Sequence, residues 1–371
     1  MRKIPIVLGS VLKPVDETRM YEKLGITLAE TNNYEVNIIG FFSKKIPTSE
    51  NICFHPIFDF ERTGLSRLLA PFKFFKTIVK LKPELIIVNT PEILLVTVLY
   101  KILFGCKIIY DINENYFRNV FYNKHYHPLI KIFLSSWIRI KEFISAPFIN
   151  YFFLAESGYN DEITFTGTRF EIIENKYKPI KVDWIPQKDP GKIRILYSGT
   201  IAESYGVFST IKFVGKLHQL DPNIELLISG HCGYTPDLKR LKNELKDKPF
   251  IKFLGGNTIV PHTDIIGAIQ SADFGIVNYL INKSTENCYP TKIYEYMGNK
   301  LPILIQEYEP WYRLPLEWDA CVVLDFEFAD PGQVLNKIKK KRFYKDGVPD
   351  SIYWHNEEIK LLKSINRWIR K

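Results

Sequence analysis

The fifteen residues from Tyr289 to Ile303 (YPTKIYEYMGNKLPI) hold the densest set of groups that could do chemistry. Pro290 suits the first position of a helix, because the N–H it lacks is not needed there. The unpaired N–H groups and the dipole of such a helix start favour a phosphate, and the Thr291 main chain is expected to meet it. Lys292 adds a cation in the first turn, unfavourable for the helix but useful to an anion. Glu295 falls one turn later on roughly the face of Thr291, where a carboxylate can accept both hydroxyls of a ribose. Gly298 then ends the helix, and Leu301 to Ile305 returns to a sheet. On local physics alone, the stretch reads equally well as an ordinary amphipathic helix with Glu295 solvated.

Those residues need a frame, and hydrophobic patterning supplies one. Strands are expected at Ile4–Leu8, Tyr34–Gly40, Leu85–Asn89 and Lys107–Tyr110, with helices at Arg19–Glu30 and Pro91–Leu103. The alternation restarts with strands at Ile193–Tyr197, Ile224–Ile228, Ile251–Leu254, Phe274–Val277 and Pro302–Ile305. Helices at Val207–Leu220, Asp237–Leu245, Asp264–Ser271 and Pro290–Met297 separate them, and Tyr353–Ile369 closes the chain as a helix. This order predicts an α/β protein of two Rossmann-like domains with parallel sheets facing a central cleft, where ligands bind at the carboxyl ends of the strands. The expected divisions are 1–180, 190–350 and a terminal helix over 351–371, with the proline-rich segment 178–192 as linker. Gly199 and Gly230 follow expected strands, either as simple turns or to let a ligand approach. His231 reads as a turn residue before it reads as a catalyst, and Asp111 and Glu114 read equally as surface or capping residues.

Composition narrows the classes. A chain of 371 residues exceeds a single core, and no repeat or low-complexity segment is visible. A net charge of +9 attracts anions. No zinc-finger spacing, arginine-rich tail or RNA-binding aromatic signature points to nucleic acid. No G-x-G-x-x-G follows the first strand and no Walker loop is present, which argues against a nicotinamide cofactor. The cysteines, Cys53, Cys106, Cys232, Cys288 and Cys321, form no C-x-x-C pair, so free thiols in a reducing cytoplasm and no metal site are expected. The start, Met1-Arg2-Lys3 and an apolar run, lacks a small-residue cleavage site and is read as the first strand. No apolar run reaches the about 20 residues of a spanning helix.

The stretch 290–297 resembles the P-x-K-x-x-E-Y-M segment of the retaining glycosyltransferases of family 4, which have the GT-B fold. Ile195 to Gly199 with Gly206, Leu226 to Gly230, Phe253 to Gly255 and Ser271 to Ile276 resemble that family's donor domain in order. Tyr353-Trp354 with Glu357 or Glu358 resembles its closing helix. Tyr110-Asp111-Ile112-Asn113-Glu114 resembles its Y-D-x-H-E, and Asp16 to Arg19 a D-x-x-R segment of some members. The resemblance implies transfer of a sugar from a nucleotide-diphosphate donor to a glycan or lipid-linked acceptor, with retention and without an essential metal or other cofactor. It further implies donor contacts at Gly199, Thr200, Gly230, Asn287, Pro290, Thr291, Lys292, Ile293 and Glu295. Asn113 and Glu114 would reach the donor sugar and, with Lys292, form the catalytic set; Asp16, Arg19 and Asp111 would lie on the acceptor side. Three departures stand out. The carboxylate eight positions before Glu295 is replaced by Asn287, with Glu286 one place off. Thr200 and Tyr205 stand where Arg and Lys commonly neutralise the donor phosphates. Asn113 replaces the usual His.

Residues 62–82 and 118–141 contain no acid, mix Arg and Lys with Leu, Phe, Ile and Trp, and the second continues into Phe143–Leu154. Such stretches can lie on an anionic membrane, or pack on the sheet with their lysines solvated. Together with the resemblance, the first reading implies a cytoplasmic protein peripheral on the inner face of the plasma membrane and acting in cell-surface polysaccharide synthesis. Two other readings stay open: a catalytically degenerate glycan-binding or scaffold protein of the same fold, and a sugar-nucleotide 2-epimerase.

Overall fold

A computed structural model of the chain describes residues 2–43, 46–60, 64–122 and 126–369. Arg62, which opens the first basic stretch, and residues 123–125 of the second lie outside the described residues. The chain divides into two units, 1–175 with 354–371, and 176–353.

In the first unit the strands are β1 (Ile4–Pro14), β2 (Tyr34–Phe41), β3 (Ile52–Phe58), β4 (Leu85–Val88), β5 (Lys107–Ile112), β6 (Tyr151–Leu154) and β7 (Phe170–Ile172). They form one parallel sheet in the order β3-β2-β1-β4-β5-β6-β7. Between them run α1 (Ile26–Glu30), α2 (Ala70–Leu81), α3 (Leu94–Phe104), α4 (Tyr116–Phe121), α5 (Pro128–Ser145) and α6 (Tyr159–Glu162). The helix expected over 19–30 begins as a π-helical stretch, Thr18–Gly25, before α1; the Glu17 carboxylate caps it by accepting the Met20 N–H at 2.9 Å. Period-two alternation sorts the strand side chains. Val7 and Val11, with Ile108 and Tyr110, pack under α2, α3 and the end of α5. Ile6 and Leu8, with Ile109, pack on the other face.

The second unit carries β8 (Ile193–Thr200), β9 (Ile224–His231), β10 (Ile251–Gly256), β11 (Phe274–Val277), β12 (Ile303–Gln306) and β13 (Cys321–Leu324), parallel in the order β10-β9-β8-β11-β12-β13. Its helices are α7 (Val207–Leu220), α8 (Thr235–Leu245), α9 (His262–Gln270), α10 (Lys292–Gly298), α11 (Glu309–Glu317) and α12 (Pro331–Lys340). The strand order reverses at β8, so the turn after β8 lies at the switch point where open sheets bind ligands. The proline-rich segment over 178–192 is held against this unit: the buried Arg194 guanidinium donates to the Gln187 carbonyl at 2.6 Å and to the Glu225 carboxylate at 2.6 Å. The last helix, α13 (His355–Ile369), belongs to the first unit, where Trp354, Leu361 and Ile365 enter the core.

Several strands run further than the patterning indicates: β1 to Pro14, β8 to Thr200 and β9 to His231. The extensions of β8 and β9 are Ser-Gly-Thr and Ser-Gly-His, residues without an apolar signal, and they reach the end of the sheet where the candidate residues lie.

Candidate functional site

In the second unit the site is built on the carboxyl ends of β8 and β9. Gly199 has φ +92°, a left-handed conformation that favours glycine, and Gly230 packs so tightly that a Cβ there would fall 1.7 Å from the Gly199 carbonyl oxygen. Gly230 is therefore needed for the two strand ends to lie side by side. A Cβ on Gly199 would instead point at Lys292, 3.8 Å from its Nζ, so the missing side chain leaves space in front of that ammonium. Thr200 is exposed at the strand end.

Lys292 comes from the other side of the same sheet end, at the start of α10. It is buried, donates to the Ser198 carbonyl at 2.6 Å, and lies 4.9 and 5.1 Å from the ring centroids of Tyr197 and Tyr279. Burial pushes its pKa down to about 8, and Glu295 pulls it back up in part. The two rings offer their negative faces to the cation. Neither tyrosine carries a sequence signal of its own; their closeness to Lys292 comes from β8 and the turn after β11, strands far apart in sequence that pair side by side in the sheet.

The start of α10 departs from expectation. The helix begins at Lys292, and Pro290 precedes its cap, Thr291. Pro290 uses its carbonyl to accept the Ile293 N–H at 2.9 Å, closing a turn that leads into the helix. The Ile293 side chain is fully buried in the core. Its N–H and side chain are thus both committed inside the protein, and the helix starts two residues after Pro290, where the sequence places its beginning. Glu295 is partly buried and accepts from His262 Nε2 at 3.3 Å, while its N–H donates to the Thr291 carbonyl at 3.3 Å. His262 is the residue that patterning missed: it opens α9, and only the fold brings it to Glu295. Asn287 is exposed in the loop before α10, and neighbouring Glu286 pairs with Lys283 at 3.3 Å. The structure thus gathers Gly199, Gly230, Lys292 and Glu295 into one unit with Thr200, Thr291 and His262.

The first unit holds the remaining candidates at the carboxyl ends of β1 and β5. Arg19 and Asp111 are 1% exposed and meet in a bidentate pair, with Nε–Oδ2 2.9 Å and Nη2–Oδ1 2.6 Å. Arg19 Nη1 also donates to the Ile173 carbonyl at 2.8 Å. Burial raises the Asp111 carboxyl above its ordinary value, and the Arg19 charge opposes that rise. Their strongest groups are spent on each other, so the geometry gives this pair a role in holding β5 to the Thr18–Gly25 turn. Asp16 accepts from the Ser43 hydroxyl at 2.6 Å. Glu114 receives Lys13 Nζ at 2.9 Å and Asn119 Nδ2 at 3.0 Å. Asn113 Oδ1 is buried with no hydrogen-bond partner among the described residues. Among the described residues, no group of His, Cys, Asp and Glu side chains is placed to hold a metal ion.

Neither a protein-family model nor the sequence of a curated protein matches the chain. Solved structures do. Sucrose-phosphate synthase from Thermosynechococcus elongatus superposes with a TM-score of 0.72 at 13% identity, over 98% of this chain and 99% of that one. Anabaena HepE in complex with UDP-glucose gives 0.64 at 11%, over 98% and 100%. A UDP-N-acetylglucosamine 2-epimerase from Listeria monocytogenes, itself assigned only provisionally, gives 0.60 at 11%, over 98% and 96%. At these identities the likeness shows the fold, and it is the GT-B fold over essentially the whole chain.

Proposed function

We propose that this chain transfers a sugar from a nucleoside diphosphate sugar to a glycan or lipid-linked acceptor, with retention and without an essential metal, in the making of a cell-surface polysaccharide. The observation that carries the reading is the Lys292 ammonium, buried at the switch point of the second sheet and fronted by the space that Gly199 leaves. A cation in a poorly hydrated site stabilises the charge that grows on a departing diphosphate far better than one in water. Glu295, three residues on and oriented by His262, is the group for the ribose hydroxyls. Held so, the donor needs the acceptor hydroxyl placed against its anomeric carbon, and orientation supplies the rest. Asn113 and Glu114 are the polar groups assigned to the donor sugar. The UDP-glucose complex of the HepE neighbour supports a nucleotide sugar as donor.

A thermal-shift screen with UDP, GDP, ADP, CMP and their sugars tests this. Binding to the native state raises the melting temperature by mass action. Stabilisation by one nucleotide, lost in Glu295→Ala and Lys292→Met, is the expected result, and transfer with that donor persists in EDTA. No stabilisation by any nucleotide points instead to the binding-only scaffold. The epimerase among the neighbours motivates a second assay: interconversion of sugar epimers on the nucleotide, without acceptor, would replace transfer as the function.

A further inference from the structure

Helices α3 and α5 of the first unit present apolar outer faces. Every exposed residue of α3 is apolar: Leu95, Leu99, Ile102, Leu103 and Phe104. On α5, Leu129, Ile132, Phe133, Trp137, Ile140 and Ile144 are all exposed, whereas none of its four charged residues is. Two of those charges meet on the inner side: Glu142 is buried and accepts from the Tyr110 hydroxyl at 3.0 Å, and Arg139 Nη1 lies 3.1 Å from the same carboxylate. A helix on a water-exposed surface shows the opposite arrangement. The two helices pack against each other, so their outer faces join into one apolar surface, far more than the singly scattered exposed side chains that need no explanation.

What covers this surface is indicated by its charge. Helix α2 packs beside α3 and exposes Lys73, Lys76 and Lys80, with Phe72 72% exposed at its start. No carboxylate is exposed on α2, α3 or α5. An apolar face edged by lysines and free of acids matches acyl chains edged by anionic headgroups. A second copy of the chain would set like charges against one another, since the molecule carries +9 overall. No helix among the described residues is long and apolar enough to cross a membrane, so the fit is to a surface on which the helices lie.

We propose that the outer face of α3 and α5 docks on an anionic lipid bilayer, with Ile102, Leu103, Phe104 and Phe133 entering the acyl boundary and Lys73, Lys76 and Lys80 at the headgroups. The docking layer thus includes α3, which lies outside both acid-free stretches of the sequence. The proposal stands apart from the sugar-transfer reading, because vesicle binding requires no nucleotide.

The test is co-sedimentation of the full chain with vesicles of phosphatidylcholine alone and of equal parts phosphatidylcholine and phosphatidylglycerol. The expected result is pelleting with the anionic vesicles, reduced but not abolished in about 1 M NaCl, where the screening length is about 3 Å. Ile102→Glu with Phe133→Glu abolishes pelleting. Reversing Lys73, Lys76 and Lys80 to Glu weakens it by at least about fivefold per lysine. All five side chains are exposed, and an unchanged melting temperature verifies folding; if the apolar pair fails to fold, the lysine set with the salt series decides alone. Failure to pellet with anionic vesicles, complete loss in high salt, or full pelleting by the folded variants overturns the proposal. So does a wild-type dimer that the apolar substitutions convert to monomer.

Discussion

At neutral pH the Lys292 ammonium has lost most of its hydration and keeps its charge with one carbonyl and two aromatic faces for company. Its pKa in the folded protein, about 8, lies below the ordinary 10.5. Between those values the unfolded chain binds a proton that the native state has released, so this group makes stability rise with pH from about 8 to 10.5. Lys292→Met removes that slope, and urea unfolding at pH 7 shows the variant more stable by about 1–3 kcal/mol. A bound diphosphate reverses the preference, because it favours the ammonium. Affinity for the stabilising nucleotide therefore falls about tenfold per pH unit above the folded-state pKa in titrations of the wild type. Glu142 gives a second, opposite signature in the first unit. Burial raises its carboxyl to about 7 from 4.5, against the pull of Arg139 and Tyr110. Across that window the native state keeps a proton that the unfolded chain has lost, so stability declines as pH rises from 4.5 to 7. Glu142→Gln is expected to flatten this decline and to be the more stable protein at pH 8, by about 1–3 kcal/mol. A wild type whose unfolding free energy is level between pH 5 and 8 would refute the assignment.

The elements explain which parts of this could be read without a structure. The buried strands β4, β5, β8, β9 and β11 announce themselves as short apolar runs, and α7 lies where its periodicity puts it, Val207–Leu220. Strand β6, Tyr151–Leu154, was hidden because it continues the apolar run of α5, and an all-apolar segment has no period to separate helix from strand. Strand β3 carries Pro56 at the sheet edge and lacks alternation. Helix α12 has legible local signals: Asp330 caps it by accepting the Gln333 N–H at 2.7 Å, and Pro331 opens it. For the site, Lys292 and Glu295 stood out because a local spacing carries them, whereas His262, Tyr197 and Tyr279 reach them only through sheet order. The glycines divide the same way. Gly230 carries a constraint on two strands, so Gly230→Ala must push β8 and β9 apart at their ends. The expected cost is about 2 kcal/mol or more, a fall of about 4 °C or more in the melting temperature. Gly199→Ala meets only the lysine tip and backbone strain, so its larger effect is on nucleotide affinity.

At the scale of the molecule, the chain leaves the first unit after Asn175 and rejoins it at Trp354, so that unit is completed by residues nearly two hundred positions later. The joint is specific. Trp354 is 1% exposed and its indole N–H donates to Thr27 Oγ1 at 3.0 Å; the buried Glu357 carboxylate accepts the Glu174 N–H at 3.0 Å. Leu361 and Ile365 fill the core face opposite α2, α3 and α5. Ending the chain at Tyr353 strips that face of its cover and leaves the Glu174 N–H without its acceptor. The second unit has its own core of Leu196, Ile293, Met297 and Trp311. The truncated chain is therefore expected to lose the first unit to limited proteolysis while a fragment near 176–353 survives. Trp354→Ala is the graded form of the same experiment, with a loss of about 3–5 kcal/mol confined to the first unit. Calorimetry that shows two transitions, with the substitution lowering only one, agrees with this arrangement. Equal lowering of both would mean that α13 stabilises the chain as one cooperative body, and the division at Asn175 and Trp354 would then describe contacts but not folding.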